Sequence, residues 1–235
     1  MKKHKYTSAV LLAAGSGTRF SPQETKQMIK ICGLPVFIRT ALAFHACSRI
    51  DEIVLVVKAD EYDTVRDMCA QYNIGKLTAV VVGGKTRQES ARIGAEATSK
   101  KTKFIAIHDA ARCLITTEMI DSVLDAAYIY RSAAAACRCV DTIKVTDANG
   151  FVSTTVDRDL TWRVFTPQVF EKNLYIAAAY MAKRDEAAVT DDCSLIERIG
   201  GKVKLIDVGD ENLKLTHPSD RDLAEFILKK RGEMS

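Results

Sequence analysis

Residues Val10 to Lys26 read VLLAAGSGTRFSPQETK, and the two halves of this stretch ask opposite things of the backbone. Ala9-Val10-Leu11-Leu12 is an apolar run of the kind that forms a strand buried on both faces. Ala13, Ala14, Gly15, Ser16 and Gly17 follow at once. Side chains this small let a backbone come close to a ligand, and Gly15 and Gly17 can take φ > 0 to turn N–H groups inward. Arg19 and Lys26 then set two fixed positive charges beside the loop. A strand end, a bare backbone and two cations describe a site for a polyanion, most simply a triphosphate.

Two familiar phosphate motifs drop out here. No Gly-Lys-Ser/Thr follows Gly15 or Gly17, so the P-loop pattern is absent. A dinucleotide-binding GxGxxG fails at its third glycine, which is Phe20, and the next strand-like run closes only near Lys58, with no acid at the expected distance. The loop is similar instead to the signature loop of nucleotidyltransferases that activate sugars or polyols. Taken alone, it is also compatible with a tight strand-to-helix turn carrying two solvated basic residues; the matches downstream count against that.

The 235 residues, 47% hydrophobic, suffice for a full core in one domain and are short for two, so residues 1–235 are read as a single unit. With 34 basic against 30 acidic residues the net charge is +4, which gives no reason to expect nucleic acid or a membrane surface as partner. The basic start Met1-Lys2-Lys3-His4-Lys5 precedes an apolar run too short for a signal peptide or spanning helix, so the cytoplasm is the expected location. Seven scattered cysteines contain no CxxC pair, and Cys137 and Cys139 share a face in strand register as small core residues. Four unclustered histidines argue against structural zinc.

Strand-length apolar runs alternate with helical patterns over the first two-thirds, which predicts an α/β fold with a mostly parallel sheet and helices on both faces. Pro35 suits the first turn of a helix carrying Val36, Ile38, Ala41, Leu42 and Phe44. Ile53 to Val57 reads as the second strand, 60–72 as an amphipathic helix with Val65, Met68 and Cys69 on one side, and Ala79 to Val82 as the third strand. Gly83-Gly84 closes that strand at the edge where open α/β sheets bind ligands. Arg87 and Ser90 fall on the first turn of the next helix; a base or ribose resting on the glycines and the Ser90 hydroxyl, and a plain turn with a capping serine, are both open locally.

Phe104 to Ile107 is the fourth strand and runs into His108-Asp109-Ala110-Ala111-Arg112. An acid at a buried strand's end meets a metal–phosphate complex well, because Mg²⁺ takes a carboxylate plus substrate oxygens. Asp109 is the candidate, directly or through water; Arg112 balances it or reaches a second phosphate, and His108 is read as a packing or hydrogen-bonding residue. A helix with Ile120, Val123, Leu124, Ala127 and Ile129 follows. Thr142 to Val156 reads as a protruding β-hairpin arm turning at Asn149-Gly150, inserted over residues 137–163. A two-stranded arm has little core of its own, so a homodimer is predicted. Trp162 to Gln168 returns the chain to the body, helices over 171–184 and 191–199 flank Thr190-Asp191-Asp192, and those two acids suit a helix amino terminus better than a metal. A late strand over 204–208 and a helix from Pro218 close the chain.

Assembled, the chain resembles the 2-C-methyl-D-erythritol 4-phosphate cytidylyltransferase family of the non-mevalonate isoprenoid pathway. The resemblance rests on AAGSGTR at Ala13–Arg19, Lys26-Gln27, Gly83-Gly84 with Arg87 and Ser90, HDAAR at His108–Arg112, Asp141-Thr142, Val156-Asp157-Arg158, Thr166-Pro167-Gln168, Thr190-Asp191-Asp192 and NLKLT at Asn212–Thr216. It implies a Rossmann-like nucleotidyltransferase fold, CTP as donor, Mg²⁺ and a homodimer with a swapped arm. It further implies that Arg19 and Lys26 stabilise the transition state and that Ala13, Ala14, Gly15, Gly84 and Ser90 contact CTP, with Gly17 in the same loop. Asp109, Arg112, Thr142, Arg158, Thr166 and Lys214 would surround the methylerythritol phosphate, some from the partner chain. The sequence departs from the family pattern at Phe20, Thr25, Cys113, Arg138 and Phe165, none of which removes a charged role.

The acceptor's phosphate is already ionised near neutral pH, so neither a general base nor a covalent protein nucleophile is needed, and no Ser-His-Asp or Cys-His set suggests itself. Catalysis then consists of positioning and charge neutralisation. Arg19 and Lys26 are assigned to the α-phosphoryl oxygens and leaving group, Arg158 and Lys214 to the incoming phosphate, and Mg²⁺ to the triphosphate. The rivals are a cytidylyltransferase for another polyol phosphate such as ribitol 5-phosphate, whose loop tends to carry a glycine where Ala14 stands, and a non-catalytic nucleotide-binding module, which would be expected to have lost Arg19, Lys26 or Lys214.

Overall fold

The molecule is described by a computed structural model covering residues 5–15, 25 and 27–233. All six residues of the first strand, β1 (Thr7–Leu12), are buried. Its side chains divide with the strand's two-residue period: Ala9 and Leu11 enter one core, Val10 and Leu12 the other. A strand with apolar residues on both sides needs cover on both, and the helices supply it.

A short hairpin, β2 (Lys30–Ile31) and β3 (Leu34–Pro35), leads into α1 (Val36–Ala46). There follow β4 (Glu52–Val57), α2 (Tyr62–Gln71), β5 (Leu77–Val82), α3 (Arg87–Ala97), β6 (Phe104–Asp109) and α4 (Thr117–Tyr130). The chain continues through β7 (Ser132–Arg138), β8 (Lys144–Thr146), β9 (Val152–Thr155), β10 (Trp162–Glu171) and α5 (Lys172–Arg184). It ends with α6 (Asp192–Arg198), β11 (Lys204–Asp207) and α7 (Ser219–Lys230).

Seven strands form one sheet in the order β11-β7-β10-β6-β1-β4-β5. All neighbours are parallel except β10, which runs antiparallel to both β6 and β7. One face packs against Phe37 and Phe44 of α1, Val65 of α2 and Ile120 and Val123 of α4. The other packs against Ala91 and Ala95 of α3, Tyr175 of α5 and Leu195 of α6. A third cluster seats α7, through Ala224 and Leu228, on Ile31 and Leu215.

Four elements differ from the sequence expectation or lay outside it. Pro35 closes β3 in extended conformation, with ψ 142°, and the helix begins at Val36. The preceding turn places Cys32 (φ 45°) and Gly33 (φ 81°) both in the left-handed region, as a two-residue hairpin turn requires, though Cys is an unusual residue there. The alanine-rich β7 and the long β10 form the antiparallel half of the sheet. Residues 137, 138, 162 and 163, read as part of the arm, are paired within that sheet, Trp162 opposite Arg138 and Arg163 opposite Cys137, because the β7–β10 ladder runs on to its end. Ile129, expected on the helix's apolar face, is exposed near the end of α4.

The hairpin β8–β9 stands apart as its own two-stranded sheet, every residue exposed, turning through Gly150 at φ 87°. Val140, Phe151 and Leu160 on this arm and its base are each more than 70% exposed.

Helix α3 sits unusually close to the sheet at Gly94, where an added Cβ would lie 2.4 Å from Val10 Cγ1 and 2.7 Å from Val56 Cγ2. Both neighbours are β-branched and stiff at χ1, so neither can swing away. Gly94→Ala gains about 1 kcal/mol of helix propensity but forces an overlap costing about 1–3 kcal/mol. Thermal melts should therefore show Gly94→Ala less stable than the parent; a raised Tm would contradict this packing.

Candidate active site

Four parallel strands deliver their carboxyl ends to one edge of the sheet. Leu12 ends β1 opposite Asp109 of β6, and Ala13 N–H donates to Val56 O on β4 at 2.7 Å. Ala14 lies against the Gly83-Gly84 turn that follows β5: a Cβ on Gly83 would fall 2.8 Å from Ala14 Cβ and 2.7 Å from Ser90 Oγ. Two small-residue loops thus meet where the sequence places the nucleotide, and Gly83 is required by that close approach. Gly15 is exposed beside them. Gly17, Arg19 and Lys26 lie outside the described residues.

The Gly83-Gly84 turn is braced by the first turn of α3. Thr86 is the amino-terminal cap, its Oγ1 accepting from Glu89 N–H at 3.0 Å, while Glu89 Oε2 reaches back to accept from Lys85 N–H at 2.8 Å. Ser90 is not the cap. Its hydroxyl accepts from Gly84 N–H at 3.1 Å and donates to Thr86 O at 2.9 Å, so it shapes the loop from beneath.

The centre of the site is the Asp109 carboxylate. Arg87 Nε donates to its Oδ1 at 3.0 Å, and Lys214 Nζ to its Oδ2 at 2.7 Å. Burial alone would raise the Asp109 carboxyl, but these two cations hold it well below the ordinary carboxylate range. Arg87 also donates from Nη1 to Asp192 Oδ2 at 2.7 Å. Asp192, whose side chain is 1% exposed, accepts a further bond from Tyr175 OH at 2.8 Å. Burial pushes the Asp192 carboxyl up, against the pull of Arg87.

Behind Asp109 a second network fixes its backbone. Thr166 Oγ1 accepts from Asp109 N–H at 3.0 Å and lies 3.1 Å from His108 Nδ1. Arg112 O, 3.2 Å from His108 Nε2, can only accept, so the neutral imidazole carries its proton on Nε2 and the Thr166 hydroxyl donates to Nδ1. His108 is fully buried against Phe44 and cannot meet a ligand. Arg112 Nη1 donates to Asn212 O at 2.9 Å, its guanidinium lies 4.8 Å from the Phe165 ring centre, and Asn212 Nδ2 donates to Thr166 O at 2.8 Å.

Asp109, Arg112, Thr166 and Lys214 are thus joined in one network, with Ala13, Ala14, Gly84 and Ser90 on the adjoining loops. Thr142 and Arg158 are on the exposed arm segment, where Arg158 Nη1 donates only to Val140 O at 3.4 Å among the described residues. The sequence marks Arg87 beside the glycine pair and Asp192 in a Thr-Asp-Asp motif without assigning either a role in the site, and it gives no sign of Tyr175. Sequence reasoning assigned Asp191 and Asp192 together to a helix amino terminus, which holds for Asp191, whose Oδ1 accepts from Ser194 N–H at 3.0 Å. Asp192 is the first residue of α6 and turns inward to Arg87 instead. The signal available was the arginine two residues after Gly83-Gly84-Lys85, on the helix face towards the sheet's edge.

Magnesium needs oxygen ligands that are free. Both Asp109 oxygens are engaged by cations, and no group of three His, Cys, Asp or Glu side chains able to hold a metal occurs among the described residues. Asp109 is the carboxylate at this edge that could hold magnesium beside substrate oxygens, directly or through water.

Among known proteins, the profile of the 2-C-methyl-D-erythritol 4-phosphate cytidylyltransferase family matches residues 7–230. The protein of that name from Caldanaerobacter subterraneus subsp. tengcongensis is 38% identical over 224 residues, covering 95% of this chain and 99% of the relative. Its namesake from Syntrophus aciditrophicus is 37% identical over 94% of this chain and 95% of the relative. The crystal structure of 4-diphosphocytidyl-2C-methyl-D-erythritol synthase from Anaerococcus prevotii superposes with a TM-score of 0.87 at 29% identity, covering 96% of this chain and 97% of that one.

The burial of His108 has a thermodynamic consequence. Desolvation drops its pKa from 6.5 to about 3, so the unfolded chain takes up a proton that the folded chain refuses. Stability is then fully present above pH 6.5 and is lost progressively as pH falls from there towards about 3, with Asp109 adding to the loss only below its ordinary 3.8. Melting temperatures taken between about pH 7 and about pH 4.5 should decline, and His108→Gln should flatten that slope. An unchanged slope would contradict the buried neutral imidazole.

Proposed function

The chain belongs to the 2-C-methyl-D-erythritol 4-phosphate cytidylyltransferase family, and from that premise we propose how its own residues carry out the reaction. The enzyme is a cytidylyltransferase that joins the cytidylyl group of CTP to 2-C-methyl-D-erythritol 4-phosphate and releases pyrophosphate. The observation that carries the mechanistic reading is the pair of cations on Asp109, at the sheet edge where the two glycine-lined loops meet.

An oxygen of the acceptor phosphate attacks the α-phosphorus of CTP as the bond to the β-phosphate oxygen breaks, and pyrophosphate departs with that electron pair. The nucleophile is ionised beforehand, so no protein base is consumed and no covalent enzyme intermediate forms. What must be overcome is the mutual repulsion of two anions, and fixed cations do that at little reorganisation cost. Among the described residues the Lys214 ammonium has one partner, Asp109, and its side chain is 35% exposed, so an incoming phosphate can share it. Arg112, stacked on Phe165, adds charge on the same side. Arg19 and Lys26 take the α-phosphoryl oxygens and the leaving group, while Ala13, Ala14, Gly15, Gly17 and Gly84 line the nucleotide; Ser90 acts by holding Gly84.

Asp109 is the side chain that would hold Mg²⁺, directly or through water, and the ion would supply positive charge to offset that of the departing pyrophosphate. The exposed apolar residues of the arm, Val140, Phe151 and Leu160, seat on a second copy in a homodimer, and Thr142 and Arg158 then complete the acceptor site of the partner. Residues 139–161 would form that arm on a single nucleotidyltransferase domain. The cytoplasm is the proposed location, and among the described residues no helix is long and apolar enough to cross a membrane.

Pyrophosphate release measured across the four nucleotides, with methylerythritol phosphate and ribitol 5-phosphate as acceptors, tests this reading: CTP with methylerythritol phosphate should dominate, and exclusive use of ribitol 5-phosphate would overturn it. Lys214→Ala should keep its fold, since Arg87 still neutralises Asp109, yet lose about 10²–10³-fold in kcat/KM. Turnover at the parent's level in that variant would remove Lys214 from the mechanism.

A further inference from the structure

Asp192 presents a problem that a helix amino terminus does not explain. An acid at that position is normally solvated and adds modestly to the helix. Here the side chain is 1% exposed, and an ionised carboxylate moved out of water is strongly destabilising unless it is paired and hydrogen-bonded. Its surroundings are built to meet that cost. Arg87 Nη1 takes Oδ2, Tyr175 OH takes Oδ1, and Gln168 Oε1 accepts from the Asp192 and Cys193 N–H groups at 3.0 and 3.1 Å. Tyr175 is itself fully buried and stacked on Phe170, with ring centres 5.5 Å apart, so its hydroxyl is rigidly aimed.

The arrangement gives Arg87 two unequal partners. Among the described residues Asp192 bonds no cation but Arg87, whereas Asp109 has Lys214 as well. An arriving anion can therefore draw Arg87 off Asp109 without leaving that carboxylate unpaired. Asp192 keeps hold of the same guanidinium through Nη1, so Arg87 stays at the sheet edge and cannot fold both arms of its fork onto Asp109. Arg87 also stands between the two halves of the site, two residues after Lys85 of the Gly83-Gly84 turn and in contact with the carboxylate that Lys214 shares.

Resting on the cytidylyltransferase reading, we infer that Arg87 is a further catalytic residue contacting the phosphoryl group in transfer, and that Asp192 and Tyr175 are the positioning residues that hold its guanidinium there. That group and the attacking phosphate, both already anionic, come to bonding distance only as the reaction proceeds, so the set acts on turnover more than on substrate binding.

The test compares Asp192→Asn, Tyr175→Phe and Arg87→Lys with the parent enzyme, using CTP, methylerythritol phosphate and Mg²⁺ at a temperature well below every variant's Tm. Asp192→Asn should lower kcat by about 10–100-fold and Tyr175→Phe by a smaller factor, about 3–10-fold, with KM for either substrate within about 3-fold of the parent, as for loss of an orienting partner. Arg87→Lys, which keeps the charge but loses the planar fork, should fall at least as far as Asp192→Asn. If Asp192→Asn and Tyr175→Phe lower only Tm while kcat stays at the parent's value, or if they raise KM alone, the inference is overturned. Absence of turnover by the parent enzyme itself would instead overturn the cytidylyltransferase reading, and this inference with it.

Discussion

One buried carboxylate with a cation on each oxygen sets the terms for this molecule. Asp109 ends the strand that lies in the middle of the sheet, and its partners arrive from far along the chain: Arg87 from the start of α3 and Lys214 from the segment between β11 and α7. At an effective dielectric near 20, charges a few ångströms apart attract by about 4 kcal/mol. Losing both partners at such a depth would cost about 3–5 kcal/mol, because the carboxylate would be left uncompensated, whereas either cation alone still pairs it. The Asp109 cluster thus ties the nucleotide side of the fold to its carboxyl-terminal segment, and it stores positive charge where two anions must meet.

The rest of the architecture serves that edge. Parallel strands bring Leu12, Val57, Val82 and Asp109 out on one side of the sheet, and small residues then let the connecting loops converge. Gly83 admits Ala14 and the Ser90 hydroxyl; Gly94 lets α3 settle onto Val10 and Val56, which lowers Arg87 towards the carboxylate. The antiparallel β10 crosses behind, and its Thr166 holds both the Asp109 amide and the neutral His108 ring. A neutral imidazole there leaves the local charge to Arg87, Lys214 and Arg112.

Much of this was legible in the residues. The parallel half of the sheet follows from apolar runs at strand length, the arm from alternation around Asn149-Gly150, and Asp109 and Lys214 from the motifs HDAAR and NLKLT. What escaped has physical reasons. Alanine has low strand propensity, so Ala133 to Ala136 carries no β signature, although the four are fully buried and let α4 pack closely. The Asp192–Arg87 pair joins residues more than a hundred positions apart, a distance at which no local pattern reports contact. Asp191 and Asp192 look alike in sequence; one caps α6 and the other is swallowed by the core, and only the tertiary fold separates them. Gly17, Arg19 and Lys26, central to the opening loop, remain expectations drawn from sequence.

The electrostatics of the sheet edge depend on the ionisation of Asp109 in the unliganded enzyme. Carboxyl-carbon NMR of the protein, with the Asp109 signal identified through Asp109→Asn, follows that group directly as pH is lowered from about 7 to about 4, where ordinary aspartates are well into their titration. The signal should stay at its ionised position throughout, held there by Arg87 and Lys214. A midpoint at or above the ordinary 3.8 would mean that the two cations do not grip this carboxylate, and the electrostatic basis of the site would be lost.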